Sequence, residues 1–279
     1  MIIGENRAVV SFKYLLMTVF AILTLLPIIL VVVGGFKTLA QLRLDLFGIP
    51  DPVMWSNYLD VVNPERSMFF VNLLNSCIVM FITVALGLIL SSLAGFALSR
   101  IKFKGKEIVF TFFLLGLLFP PAVAILPLYI ELKTLSLLNN YMGVVLPQVA
   151  FALPFQIMLT RSFFNQIPIE LEESAYLDNC TPLGFLIHIV MPLSKPILTT
   201  VALLAMVTSW NNYFLPLLVF NDEKLFTLPM GVMSFQGQYI NDWSLVLAFI
   251  SLAMIPAIIF YLIAQKYIID GLTGGAVKQ

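Results

Sequence analysis

Six stretches of the chain run for more than twenty residues without an Asp, Glu, Lys or Arg, and no other feature constrains its fold as strongly. They are 14–36, 67–99, 108–130, 134–160, 196–221 and 243–265. A helix rises about 1.5 Å per residue, so about 20 apolar residues cross a hydrocarbon core about 30 Å thick. Each run is therefore long enough to span a bilayer, and some are longer than a span. The chain is 60% hydrophobic and only 11% charged, whereas soluble domains carry roughly a quarter charged residues. Fifteen basic residues balance fifteen acidic ones. This excludes a water-soluble globule, a disordered chain and a basic nucleic-acid binder. The two cysteines, Cys77 and Cys180, make no disulfide framework, and no metal-type Cys/His spacing occurs. The fold class expected is an all-α integral membrane protein with six transmembrane helices.

The first run follows Arg7 and Lys13, as in a secretion signal. It is too long for a signal's apolar segment and no Ala-x-Ala site follows, so it reads as an uncleaved span. Basic residues favour the cytoplasmic side. Arg7, Lys13, Arg100, Lys102, Lys104, Lys106, Arg161, Lys195, Lys266 and Lys278 fall on one side of a six-span arrangement. Only Lys37, Arg43, Arg66, Lys133 and Lys224 fall on the other. The expected topology is N-in and C-in, with a cytoplasmic N-terminus at 1–13, a six-span domain at 14–265 and a cytoplasmic tail at 266–279. The charge-free stretch 225–241 contains Thr227, Pro229, Gln236, Gly237 and Gln238, and is expected to be an extracellular loop of partly interfacial character.

In the second span Gly87, Ser91 and Gly95 recur every four residues, on one face, as a helix–helix interface requires. Pro120, Pro121 and Pro127 interrupt the third span, and Pro147 and Pro154 the fourth. Proline removes a donor and clashes with the preceding turn, so both helices are expected to be kinked or broken. Lipid tolerates that where protein or water satisfies the freed carbonyls, which favours a pathway-lining position for these two spans. The fifth span carries Trp210, Asn211, Asn212 and Tyr213 in its outer half. Two readings of this cluster stand: a pathway for a neutral polyhydroxylated solute, or polar glue between helices. With no ionisable residue in any span, proton or ion coupling is disfavoured and the energy source is expected outside the chain.

The connection 161–195 is the most informative segment. Pro168 suits the first position of a helix, and Glu170, Glu172 and Glu173 then meet the positive end of its dipole. Asn179 suits the left-handed conformation at a helix end. Thr181-Pro182 reads as a cap and first position of a second helix, running to a stop at Met191-Pro192. From the physics alone, this acidic knob is either a solvated loop with capping carboxylates or a docking element joined to the fifth span.

Glu173-Ser174-Ala175, Asn179 and Ile189-Val190-Met191-Pro192 resemble the EAA motif of binding-protein-dependent ABC importers: Glu-Ala-Ala, three residues, Gly, then Ile-x-Leu-Pro. Ser replaces Ala, Asn replaces Gly and Met replaces Leu. Ser209-Trp210-Asn211-Asn212 is similar to a segment of sugar permeases, and the tail from Gln265 to Lys278 resembles the ending of maltose-type carbohydrate permeases. The resemblance implies a type I ABC importer permease fold and a prokaryotic cell-membrane location. It also implies a second, non-identical permease subunit, two ABC ATPase subunits and an extracytoplasmic sugar-binding protein. Glu173 would pair with a basic residue in a cleft of the ATPase. Ser174, Ala175 and Asn179 would shape the docking helix, with Leu171 and Asp178 beside them. Gly271, Gly274 and Gly275 would lie in a tail segment reaching towards the ATPase dimer.

The chain lacks a phosphate-cradling G-x-x-x-x-G-K-[ST] loop. It is therefore expected to be a non-catalytic transport subunit with no cofactor of its own, ATP and Mg being bound by the partner ATPases. The single histidine, His188, has no nucleophile or carboxylate partner near it in sequence and suits a structural or interfacial role. The expected function is import of a sugar, with an oligosaccharide as the favoured cargo. A permease for another polar solute, such as a polyamine or amino acid, and a stand-alone secondary transporter remain the alternatives.

Overall fold

The computed structural model describes residues 7–235 and 242–273, with side chains over 10–235, 242–262 and at 265. All regular structure among the described residues is helical: α1 (Arg7–Gly35), α2 (Leu39–Leu44), α3 (Trp55–Val62), α4 (Phe69–Arg100), α5 (Lys106–Gly116), α6 (Pro121–Thr134) and α7 (Tyr141–Phe164) come first. They are followed by α8 (Ile169–Leu177), α9 (Pro182–Phe185), a π-turn (Leu186–Val190), α10 (Met191–Leu193), α11 (Lys195–Trp210), α12 (Phe214–Val219) and α13 (Trp243–Thr273). Four segments are long and apolar enough to cross a membrane alone: Val10–Gly35, Phe69–Arg100, Tyr141–Phe164 and Trp243–Leu262. Two helix pairs satisfy the same criteria only together, α5 with α6, bent by 96°, and Pro182–Leu193 with α11, bent by 81°.

The prolines act unequally. Pro120 stands extended just before α6 and Pro121 occupies its first turn, so the third apolar run is two helices with a sharp corner. Pro147 and Pro154 instead sit inside α7, which stays a continuous helix, contrary to a break there. The fourth run also starts later than its lack of charge suggests. Ser136 and Asn139 take positive φ values of 57° and 53°, and the Asn140 side chain caps α7 by accepting from Met142 N at 2.9 Å. The fifth run is helical only to Trp210 before a separate α12, because Asn211 ends α11 and Asn212 Oδ1 accepts from Leu215 N at 3.1 Å. The first and last helices extend beyond the charge-free runs, to Arg7 and Thr273.

The chain divides into two compact units. The first comprises Met1–Phe70 and Gly231–Pro256. Here the end of α1 is tied down by side chains. Asn57 Nδ2 donates to the carbonyls of Gly35 and Lys37 at 2.9 and 3.0 Å, and Tyr58 Oη donates to Val32 O at 2.8 Å. Phe36 stacks edge-on against Trp55, with centroids 4.7 Å apart. Lys37 is not a solvated loop charge. It is 1% exposed, and its Nζ donates to the carbonyls of Asp45 and Leu46 at 2.8 and 2.9 Å. α1 and α13 approach closely at Gly35, where a Cβ would lie 2.9 Å from the Ala248 Cα.

The second unit comprises Val71–Met230 and Ala257–Gln279. Its seam is the small-residue face of α4 against α7. A Cβ at Gly87 would meet Gln156 Oε1 at 2.8 Å, and one at Gly95 would meet the Thr160 Cβ at 2.9 Å and Arg161 N at 3.2 Å. Thr160 Oγ1 donates to Ser91 O at 3.0 Å. Gln148 and Gln156, buried on the same seam, are polar groups inside an apolar run whose place the charge pattern alone did not reveal. Near the start of α4, Asn75 Nδ2 donates to the carbonyls of Lys224 and Phe226 at 2.8 and 3.0 Å, and Leu228 N donates to Ser76 Oγ at 2.7 Å. The 225–241 stretch is accordingly packed 3₁₀ turns over Leu228–Phe235, with Leu228 and Met230 buried, before residues 236–241, which lie outside the described set.

Gly95→Leu should therefore wedge α4 from α7, costing about 1–3 kcal/mol as overpacked contacts do. Ser91→Ala, which keeps the carbonyl that Thr160 uses, should leave the thermal unfolding midpoint of the detergent-solubilised protein near the wild-type value. A Gly95→Leu midpoint equal to wild type would contradict this seam.

Candidate functional site

The α7–α11 connection folds as a helical knob, and each of its turns has a local cause. Pro168 is the residue just before α8 rather than its first helical position, with extended backbone at φ −55° and ψ 139°. Glu170 and Glu172 follow in the first turn, where the helix dipole favours carboxylates. α8 closes with paired 6→1 and 5→2 bonds: Cys180 N donates to Ala175 O at 2.9 Å and Asn179 N to Tyr176 O at 3.1 Å. Asn179 sits at φ 57°, the left-handed conformation expected of it.

Thr181 then caps α9, its Oγ1 accepting from Gly184 N at 3.1 Å with Pro182 in the first turn. The second helix does not stop at Met191-Pro192. It widens into a π-turn in which Met191 N reaches back to Leu186 O, and continues as α10 to Leu193. Pro192 has no N–H to give, and the widened register removes the need for one at that point. The chain then turns at Ser194 into α11.

An apolar cluster holds the knob to the helix ends: Phe96 of α4, Phe164 and Ile167 at the end of α7, Ala175 of α8, and Phe185, Leu186 and Val190. Phe164, Phe185 and Val190 are fully buried. Ala175 lies buried within this cluster. Ser174 Oγ donates to Glu170 O at 2.8 Å, which satisfies the hydroxyl that serine carries beyond alanine's single carbon.

The carboxylates of α8 face different ways. Glu172 points inward, its Oε2 3.4 Å from Arg100 Nη1, with the two side chains 10% and 7% exposed. Arg100 Nη2 also donates to the carbonyls of Phe164 and Ile167. Removing one partner from a buried pair costs about 3–5 kcal/mol. Tyr176 Oη donates to Glu172 Oε1 at 3.3 Å, and burial together with that carboxylate pushes the phenol above the ordinary tyrosine range. Glu173, one residue on, is exposed, as are Leu171, Ser174, Asp178 and Asn179. His188 lies on an exposed face with Nδ1 3.0 Å from Gly184 O.

Neither Arg100 nor Glu172 stood out in the sequence as a pair. The available signal was the three-residue spacing of Glu172 and Ala175, which puts both on the buried face of α8.

The second candidate region divides. Trp210 and Asn211 line an apolar cavity of about 390 Å³ with Leu203, Met206, Val207, Ala257, Phe260 and Tyr261. Trp210 is 5% exposed and packs edge-on against Phe260 at 5.2 Å. Asn211 Nδ2 donates to Val207 O at 3.0 Å. Asn212 and Tyr213 fall outside this cavity, Asn212 holding the turn into α12 and Tyr213 packing edge-on against Phe214 at 5.9 Å. Gly271 lies near the end of α13, while Gly274 and Gly275 lie outside the described residues.

Residues 87–273, a segment that includes the whole knob, match the family model described as "binding-protein-dependent transport system inner membrane component". The chain belongs to this family. The probable ABC transporter permease protein YurM of Bacillus subtilis (strain 168) is 35% identical over 99% of this chain and 89% of its own length. The arabinooligosaccharides transport system permease protein AraQ of the same organism is 34% identical over 92% of each chain. The trehalose/maltose transport system permease protein MalG of Thermococcus litoralis is 35% identical over 80% of each. A chain from the crystal structure of a bacterial ABC transporter involved in the import of the acidic polysaccharide alginate shares the fold, with a TM-score of 0.81, 23% identity and coverage of 96% of this chain and 99% of that one. The protein is thus a multi-pass, non-catalytic permease component of the inner membrane, as the sequence led one to expect.

Asn179→Gly should leave the knob intact, because glycine enters the left-handed region without strain. Asn179→Val should cost about 1–2 kcal/mol. Limited proteolysis across 165–195 checks this: faster cleavage is expected for the valine variant alone, and equal rates for all three proteins would contradict the assigned turn.

Proposed function

We propose that this permease carries a neutral sugar, an oligosaccharide by preference, through a six-span N-in/C-in domain driven by partner ATPases. Counting each bent pair as one crossing supports the six spans. Relatives named for arabinooligosaccharides and for trehalose/maltose support the cargo class. So do six runs of more than twenty residues that hold no Asp, Glu, Lys or Arg. A second, non-identical permease subunit, two ABC ATPases and an external sugar-binding protein complete the transporter. Loops 37–66 and 222–242 are the surface offered to the binding protein; on the first of them Leu44, Phe47, Ile49 and Trp55 are exposed outside the spans.

The observation that carries the coupling reading is the outward Glu173 on a helix whose opposite face is packed against α4 and α7. In this reading the carboxylate meets a cation in the ATPase cleft, with exposed Leu171, Ser174, Asp178 and Asn179 around it and Ala175 fixing the helix from behind. ATP-driven closure of the two ATPases then moves α8, and with it α7 and α11. Trp210 and Asn211 are the residues offered to the solute pathway, with Asn212 and Tyr213 shaping the adjoining turn. Gly271, Gly274 and Gly275 are assigned to a tail contact with the ATPases.

Glu173→Lys in the reconstituted complex tests the coupling reading. Solute-stimulated ATP hydrolysis, or co-purification of the ATPase, should fall at least tenfold while membrane insertion is unchanged. Wild-type stimulated hydrolysis by this variant would overturn it.

A further inference from the structure

Of two adjacent carboxylates of α8 one is buried and the next exposed, and the buried one is fastened to the ends of α4 and α7 by a single guanidinium. Arg100 is the last residue of α4. Its Nη1 reaches Glu172, its Nη2 donates to the carbonyls of Phe164, the last residue of α7, and of Ile167 just beyond it, and its Nε has no partner. One side chain thus joins three pieces: the end of α4, the end of α7 and the first turn of α8.

The apolar cluster beneath α8 is non-directional, and by itself it lets a short helix tilt or slide. Charge-assisted bonds from a planar, forked donor impose a direction. We infer that Arg100 and Glu172 are positioning residues that lock α8 to α4 and α7, so that force received at Glu173 is passed to the membrane helices one residue away. Three features favour this over a solvated pair of little consequence. Both side chains are nine-tenths buried. The guanidinium also donates to the carbonyls of Phe164 and Ile167, in the turn that ends α7. Tyr176 holds the other carboxylate oxygen, so Glu172 has both oxygens engaged. Glu170, which shares the first turn but not the buried face, has an exposed side chain and no such anchor.

The inference rests on the coupling reading, and its test separates the two. The complete transporter, with its partner subunits and binding protein, is reconstituted in proteoliposomes carrying Glu172→Gln, Arg100→Lys or Glu172→Asp. The last two keep the charges, so they guard against simple misfolding. Each complex is assayed for ATPase co-purification, stimulated hydrolysis, and solute moved per ATP hydrolysed. The expected result is normal co-purification, hydrolysis at or above wild type, and at least a fivefold drop in solute per ATP for Glu172→Gln. Smaller drops are expected for Arg100→Lys and Glu172→Asp. A wild-type ratio in an assembled Glu172→Gln complex would overturn the inference. So would loss of co-purification in parallel with transport in all three variants, which would mark a purely architectural pair. If Glu173→Lys retains stimulated hydrolysis, the coupling reading itself fails, whatever these variants do.

Discussion

A backbone carbonyl in or beside hydrocarbon has no water to bond, so every helix end in this chain needs a partner from the protein itself. Much of the structure follows from how those partners are supplied. Lys37 closes the loop after α1 by donating to two carbonyls, with Asn57 and Tyr58 serving the helix end itself. Arg161 Nε donates to Leu98 O and Lys106 Nζ to Ser99 O, both in the last turn of α4. Arg100 serves the carbonyls at the end of α7. Long cationic side chains at helix C-termini also meet the negative end of the dipole. The basic residues that look like topological markers are thus also the fasteners of helix ends.

That economy gives the α7–α11 knob its character. α8 is short, and a helix of its length would be marginal in water. It persists because the turn at Asn179 satisfies its last carbonyls, Thr181 starts the next helix at once, and Phe96, Phe164 and Phe185 bury its inner face. In the proposed coupling the knob has to be rigid, since a deformable element would absorb the movement of an ATPase instead of passing it on. The inward Glu172 and outward Glu173 divide that task between holding and docking in the proposed account.

Much of this was legible in the sequence because it is written in local chemistry. Asn179, Thr181-Pro182 and the Pro120-Pro121 corner each act through the backbone of their own turn. The Gly87–Ser91–Gly95 face was legible for a similar reason, since a four-residue period fixes one side of a helix. What escaped depended on phase and on distant partners. The EAA resemblance drew attention to Glu173, but only folding decides that Glu172 meets Arg100, 72 positions away. Pro147 and Pro154 suggested a kink or a break, and they sit inside an unbroken α7. The polar run at 210–213 looked like one cluster, yet the end of α11 separates the cavity-lining Trp210 and Asn211 from Asn212 and Tyr213.

In the proposed mechanism this permease forms a sugar path powered from outside its own chain. Uptake of a labelled neutral oligosaccharide into proteoliposomes measures it directly, comparing this chain alone with the full complex of partner permease, ATPases and binding protein. Accumulation is expected only with the full complex and only with hydrolysable ATP. Concentrative uptake by this chain without an ATPase, or by the full complex without ATP, would contradict it.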